Sequence, residues 1–271
     1  MTVAAAADVE ADVAGVETEH LKGHEGPRRA IQEMRKPTLV LLPGLDGTGD
    51  LFKPFIEANG SALDTLVFRY PPNEALDYAD IEALVRNGLP ADKPVVVVGE
   101  SFSGPIAASL AANPPANLRG VVLCCTFVTN PHPWLSLFKH LSALANPKRV
   151  PLPITAQLLM GKHSTPELRT SLAAALAKVS PSALQARLRA ILAVNVSTEL
   201  GAAKVPVLYI QALQDRLVPA AASRKALDAL PSMQIARIDG PHFLLQTHPV
   251  EAAKTVSNFV RALENRSEAP D

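Results

Sequence analysis

Cysteine is almost missing from this sequence: its 271 residues hold two, Cys124 and Cys125, side by side in an apolar run. A disulfide-stapled scaffold is thereby excluded, because neighbours on a strand point to opposite faces and rarely bridge. The pair reads as reduced core residues. Net charge is missing too. Lysine and arginine total 26, as do aspartate and glutamate, so the molecule as a whole has no pull on nucleic acid. No apolar run reaches the roughly 18 residues of a membrane span. The first residues do not read as a signal peptide, since Asp8, Glu10 and Asp12 stand where basic and then apolar residues would be needed. The expected location is cytoplasmic. Finally, His20, His24, His132, His140, His163 and His248 form no His-x-x-x-His pair with a Glu between, and no cysteine set accompanies them. Neither a metal site nor a cofactor is expected.

What is present is a composition, 48% apolar and 19% charged, that can bury one large core with an insertion. Residues 1–36 lack lasting periodicity and read as a leader without fixed structure. From Thr38 onward, short β-branched runs alternate with amphipathic Ala- and Leu-rich stretches, predicting an α/β fold: a mostly parallel sheet flanked by helices. The predicted strands are Thr38–Leu42, Thr65–Tyr70, Pro94–Val98, Gly120–Cys125, Val205–Gln211 and Gln234–Ile238. Helices are predicted at Leu51–Asn59, Tyr78–Asn87, Phe102–Asn113, Ala220–Leu230 and Pro249–Leu263. Between Cys125 and Val205 no strand-like run occurs. Proline-punctuated helical stretches take its place, at Trp134–Ala145, Ile154–Met160, Pro166–Val179 and Pro181–Val194, with Thr165 and Ser180 as caps. The predicted domains are a core of 37–130 and 205–271 and an inserted helical cap of 131–204, lying over the carboxyl edge of the sheet, where open α/β sheets bind ligands.

The chemistry-bearing segments lie at that edge. Val95–Val98 leads through Gly99-Glu100-Ser101-Phe102-Ser103-Gly104 into a helix, a strand–turn–helix that lifts Ser101 out of the sheet and needs small residues two away on either side. Gly99 fits; Ser103 stands where glycine is usual. As a rival nucleophile Ser103 would lie inside the first helical turn, with its oxygen hidden. An attacking serine also needs donors for the oxyanion it creates. The loop Pro43-Gly44-Leu45-Asp46-Gly47-Thr48-Gly49 leaves the first strand and offers the Leu45 N–H beside that of Phe102. Its glycine order is wrong for a phosphate cradle, and Asp46 would repel phosphate. Downstream, Asp215 follows one strand and His242, in Gly240-Pro241-His242, follows the last: acid, then histidine, each at the serine's edge of the sheet. Asp239 is the competing acid.

Together Leu42-Pro43-Gly44, the Ser101 turn, the Asp215 loop ending Val218-Pro219, and Gly240-Pro241-His242 resemble the α/β-hydrolase superfamily over about Pro37 to Leu263. Within it the glycine loop and serine turn are similar to bacterial hydrolases and to the plant phytyl-ester synthase group of acyltransferases. The resemblance implies a Ser101–His242–Asp215 triad in which Ser101 is acylated, His242 moves the proton and Asp215 fixes the imidazole. It also implies two further strands before the first one found here, for which the leader offers no candidates.

The expected activity is hydrolysis of a carboxylic ester or thioester. Acyl transfer by the same triad and a non-catalytic small-ligand receptor are the alternatives. Trp134, Leu135, Phe138, Leu159 and Met160, with Leu137 and Leu158, would line an acyl pocket or simply pack helices. The segment Pro131–Lys204 holds nine bases against two acids, hence +7, while 17 bases face 24 acids elsewhere, hence −7. Such a cap is either a solvated basic surface or an attractor for an anionic acyl carrier or coenzyme A donor, with Arg187 and Arg189 among the steering charges.

Overall fold

The computed structural model describes residues 36–133 and 150–267. Its first strand, β1 (Thr38–Leu42), is buried at every position, as an apolar run covered on both faces must be. β2 (Thr65–Val67), β3 (Val95–Glu100), β4 (Leu118–Cys124), β5 (Val207–Ala212) and β6 (Gln234–Ile238) complete one sheet in the order β2-β1-β3-β4-β5-β6. Every neighbouring pair is parallel. The order reverses between β1 and β3, so the chains leaving those two strands diverge and open a crevice at their carboxyl ends.

Alternation along the strands divides the core in two. Val40, Leu42, Val95, Val97, Val121 and Leu123 face α2 (Tyr78–Gly88) and α3 (Gly104–Ala112). Leu39, Leu41, Val96, Val98 and Val122 face α1 (Lys53–Asn59) and the C-terminal helix Pro249–Ser267. Cys124 and Cys125 are buried and free. β2 stops three residues short of the predicted Tyr70. There the chain turns inward, and Tyr70 donates its N–H to Gly47 O at 2.8 Å instead of continuing the ladder. Conversely β3 runs past Val98 to Glu100, delivering Ser101 directly at the strand end. α2 begins behind Asp77, which accepts from the Ala79 and Asp80 N–H groups while the Asp80 carboxylate accepts from Asp77 N–H.

The insertion contains α4 (Leu152–Met160), α5 (Pro166–Ala177) and α6 (Pro181–Ala193). Thr165 and Ser180 cap the last two through their hydroxyls, accepting from Leu168 N–H and Ala183 N–H. The predicted helix Trp134–Ala145 and leader residues 1–35 lie outside the described residues. The insertion is closed by an antiparallel bridge, Thr129 to Asn195, flanked by Asn130 N–H to Val194 O at 3.1 Å and Val196 N–H to Val128 O at 2.8 Å. Beyond it α7 (Ser197–Gly201), too short for a periodic pattern to reveal, puts Leu200 into the main core. α8 (Ala220–Ala229), α9 (Leu244–Thr247) and α10 (Pro249–Ser267) follow.

Because the Ser180 hydroxyl satisfies one of the orphan N–H groups at the start of α6, Ser180→Ala should cost about 1 kcal/mol of stability. Urea unfolding reads this as a lower midpoint at unchanged slope; an unchanged midpoint would mean that water replaces the cap.

Candidate active site

Ser101 has φ +49°, a left-handed backbone on a residue with a Cβ. Such a conformation costs on the order of 1–2 kcal/mol and persists only where its surroundings enforce it. Phe102 and Ser103 complete a single 3₁₀ turn into α3. The enforcement is visible. Thr126, at the end of β4, donates its hydroxyl to Ser101 O, and a Cβ at Gly104 would fall on the Thr126 side chain, so glycine is required there. Ser103 is fully buried. Its hydroxyl donates to Pro43 O and accepts from the Tyr70 hydroxyl at 2.6 Å, tying the turn to the loop after β1. The departure from glycine is thus accommodated, and it turns the Ser103 oxygen away from the crevice.

His242 follows β6 and reaches back over the edge. Its Nε2 lies 2.9 Å from Ser101 Oγ, and its Nδ1 lies 2.8 Å from Asp215 Oδ2. The other carboxylate oxygen of Asp215 accepts from Leu217 and Val218 N–H, both at 2.8 Å, which fixes the carboxylate plane. Only 5% of the His242 side chain and 4% of the Asp215 side chain are exposed. Asp239 is turned to solvent and accepts from the Gln214 amide at 2.7 Å, so it does not compete for the imidazole.

The protonation equilibria of the two groups nearest the serine are displaced. Burial alone would push the His242 imidazole down, but the Asp215 carboxylate, through its charge and its hydrogen bond, outweighs burial and raises the pKa above 6.5. Burial lifts the Glu100 carboxyl, behind the serine, from 4.5 to about 7, despite the Gln246 amide donating to it at 2.9 Å. Nothing in the Gly-Glu-Ser motif announces that shift, which comes from the depth of the strand end.

The loop Gly44–Gly47 forms the opposite wall. Gly47 N–H donates to Gly44 O at 3.0 Å, and a Cβ added to Gly44 would lie 3.9 Å from Ser101 Cβ, so this backbone passes directly beside the serine. Asp46 accepts from the Thr48 N–H at 2.8 Å and from its hydroxyl. Arg187 corrects the steering expectation. Far from being a steering charge, it is fully buried, with its guanidinium turned inward onto the carbonyls of Leu45, Asp46 and Pro71. Of the other cap bases, Lys178 pairs with Asp50 at 2.6 Å, whereas Lys139, Lys148 and Arg149 lie outside the described residues. Arg189 is exposed.

A cavity of about 940 Å³ opens beside Ser101 and His242, at the upper end of the ~300–1,000 Å³ range of small-molecule sites. Its floor is Gly44, Leu45 and Ser101; its walls are apolar cap residues such as Leu159, Leu172, Leu176, Leu184 and Leu188. Leu158 also lines it. Met160 does not: it is fully buried against Leu51, Ala156 and Leu172, because it faces the core side of α4. Trp134, Leu135, Leu137 and Phe138 lie outside the described residues. The wall residues of α5 and α6 escaped the sequence reading because an amphipathic helix shows which stripe is apolar, not whether it meets a neighbour or a void. No helix among the described residues is long and apolar enough to cross a membrane.

Known proteins share this fold. The structure superposes on an enol-lactonase from Burkholderia xenovorans LB400 with a TM-score of 0.73 at 17% identity, covering 84% of this chain and 92% of that one. A thermophilic esterase from Thermogutta terrifontis gives 0.72 at 17% identity, covering 84% and 91%. At such identities the likeness is one of fold. Over 82 residues the sequence is 33% identical to phytyl ester synthase 1, chloroplastic, of Arabidopsis thaliana, a match spanning 28% of this chain and 12% of that protein's length. Residues 75–244 fit the family described as serine aminopeptidase, S33, and the chain belongs to that family of α/β hydrolases.

Proposed function

We propose that this chain hydrolyses a carboxylic ester with an apolar acyl group through an acyl-enzyme on Ser101. The observation that carries the proposal is the hydrogen-bonded relay Ser101–His242–Asp215 at the floor of an apolar cavity. In the first half-reaction His242 Nε2 takes the hydroxyl proton as Ser101 Oγ adds to the ester carbonyl. The carbonyl π electrons move onto oxygen, and the N–H groups of Leu45 and Phe102 hold the resulting oxyanion. Collapse breaks the ester C–O bond, and the imidazolium returns its proton to the leaving alcohol. Water, deprotonated by the same imidazole, then attacks the acyl-enzyme and releases the acid and Ser101. Asp215 keeps the Nδ1 proton in place and balances the imidazolium charge.

The cavity walls suit an aliphatic chain. An anionic acyl carrier or coenzyme A donor is less well served, because Arg187 is buried and Lys178 is paired. Acyl transfer to an alcohol is the second reading, favoured by the stretch of identity to phytyl ester synthase 1. It uses the same acyl-enzyme with an alcohol in place of water, and product analysis with and without added long-chain alcohol separates the two. A receptor with an idle triad would not be covalently labelled.

Ser101→Ala should abolish labelling by a fluorophosphonate and lower kcat on p-nitrophenyl esters by at least ~10³-fold, because the triad works as a unit. Ser103→Ala should keep most of both; equal losses in the two folded variants would refute the assignment. The raised His242 pKa means that the imidazole sheds its proton only at higher pH, so kcat/KM should climb through a midpoint above 6.5. Asp215→Asn removes the carboxylate that opposes burial. The midpoint should move down and kcat should fall by about 10²–10⁴-fold; a midpoint that stays put would exclude Asp215 as the cause.

Glu100 makes a stability prediction. The folded protein holds its proton up to about 7 and the unfolded chain only to 4.5, so the group favours folding at low pH and ceases to do so as pH rises through 7. The limit is about 1.4 kcal/mol per tenfold change in acidity. From pH 5 to pH 8 the Tm of the wild type should therefore fall relative to that of Glu100→Gln. Parallel curves would remove Glu100 as a source of pH dependence.

A further inference from the structure

A fully buried arginine with no carboxylate in salt-bridge range among the described residues is unusual, because the cation gives up its hydration. Arg187, on α6, replaces part of that hydration with backbone carbonyls of the core, and its Nε stays buried without a partner among the described residues. Nη1 donates to Leu45 O at 3.0 Å and to Asp46 O at 2.8 Å, and Nη2 donates to Pro71 O at 3.1 Å. Its guanidinium carbon stands 5.7 Å from the centre of the Tyr70 ring. Gly47, φ +69°, makes room: a Cβ there would lie 2.5 Å from Nη1. Burial disfavours the charged guanidinium, while nearby Asp46 favours it.

The Leu45 N–H belongs to the peptide unit of Gly44 O, and the carbonyls held by Arg187 belong to the two units that follow it. A peptide unit is planar and trans, so its N–H points opposite to its C=O. The Gly44–Leu45 unit is held by Gly47 N–H on Gly44 O. The next two units are held through Leu45 O and Asp46 O by Arg187, and the second of them also carries the Gly47 N–H that binds Gly44 O. Glycines at 44, 47 and 49 make the loop intrinsically free to adopt other conformations. With two consecutive carbonyls drawn to one nitrogen, that freedom is reduced where the backbone passes beside Ser101.

We propose that Arg187 is a positioning residue through which docking of the cap sets the oxyanion loop. This rests on the reading of Leu45 N–H as an oxyanion donor. The cap then covers the acyl chain and also completes the catalytic floor: with α6 displaced, Ser101, His242 and Asp215 would keep their contacts and the oxyanion site would lose its geometry.

The test compares wild type, Arg187→Ala and Arg187→Lys on p-nitrophenyl butyrate. Folding is checked by circular dichroism and Tm. A trifluoromethyl ketone, which forms a tetrahedral oxyanion on the serine, probes the site directly. Misplacing one oxyanion donor should lower kcat of Arg187→Ala by about 10–100-fold with KM within about threefold. Affinity for the ketone should fall in parallel with kcat. Millimolar ethylguanidinium should restore part of kcat where equal sodium chloride does not; a merely destabilised protein would not be mended by a denaturant-like cation. Arg187→Lys keeps the charge and cannot span three carbonyls, so it should show a smaller kcat loss with the same KM, and it serves if the alanine variant fails to fold. Wild-type kcat and ketone affinity in the folded variants would overturn the proposal, as would a loss confined to KM. If wild type itself neither turns over nor reacts with a fluorophosphonate at Ser101, the acyl-enzyme reading falls, and this one with it. Labelled, active wild type beside unaffected variants overturns the role of Arg187 alone.

Discussion

Ser101 occupies a backbone conformation that an L-residue avoids, and the site is organised around keeping it there. The strain is small against the stability of a domain, but it is local, and a single turn would relax it. Residues within or at the ends of three other strands of the sheet prevent that. β4 supplies Thr126, whose hydroxyl holds Ser101 O; β5 supplies Tyr209, whose hydroxyl holds Thr126 O in turn; and Ser103 is tied to the exit of β1 through Pro43 O. The turn is thus cross-braced at the point where the strand order reverses, so the exposed serine oxygen is held by a scaffold that cannot shift piecemeal.

A serine held this rigidly can act as the proposed nucleophile only if its proposed base is equally well placed. His242 comes from a loop after β6, two strands beyond β4, and a loop histidine alone would sample many orientations. Asp215 removes that freedom because its own carboxylate is pinned by two backbone N–H groups, leaving one oxygen for the imidazole. The same arrangement displaces the histidine's equilibrium. In so dry a place burial would hold the imidazole neutral, and the carboxylate reverses the sign. Glu100 adds a second acid beneath the serine, and its ionisation near neutrality would favour the imidazolium further. Proton affinity at this site is therefore a joint property of three buried groups on three different strand ends.

Much of this was legible in the sequence. β1 and β6 were read to the residue, β1 as an apolar run between Pro37 and Pro43 and β6 as a short Ile-containing stretch between the turn residues Pro231-Ser232 and Asp239-Gly240. Ser101, Asp215 and His242 could be named because each directly follows a strand, and strand ends are where parallel sheets place their chemistry. What escaped detection shares one cause: it depends on what a side chain meets across space. Arg187 in the sequence is one base among nine, and nothing local distinguishes it from exposed Arg189 two residues on. Helical geometry turns the two to different sides, and the carbonyls awaiting Arg187 belong to a loop 140 residues earlier in the chain. Met160 was misplaced beside Leu159 for the same reason: adjacent helical residues face different neighbours.

The cap meets the core through contacts of unequal weight. Lys178 and Asp50 form a close pair, but both side chains are substantially exposed, and such pairs are worth about 0–1 kcal/mol. The apolar cluster of Leu51, Ala156, Met160, Leu172 and Ala175 supplies adhesion without direction, since hydrophobic burial tolerates small slides. Phe243 N–H donates to Leu159 O at 2.9 Å, linking α4 to the residue after His242. Arg187 combines full burial with three directional bonds to the core, and leaving a buried acceptor without its donor costs about 1–3 kcal/mol. Position, more than adhesion, is therefore what the arginine contributes. An apolar side chain at 187 could bury as much surface, but it would leave the carbonyls of Leu45 and Asp46 without a donor and the glycine loop free to turn away from the serine.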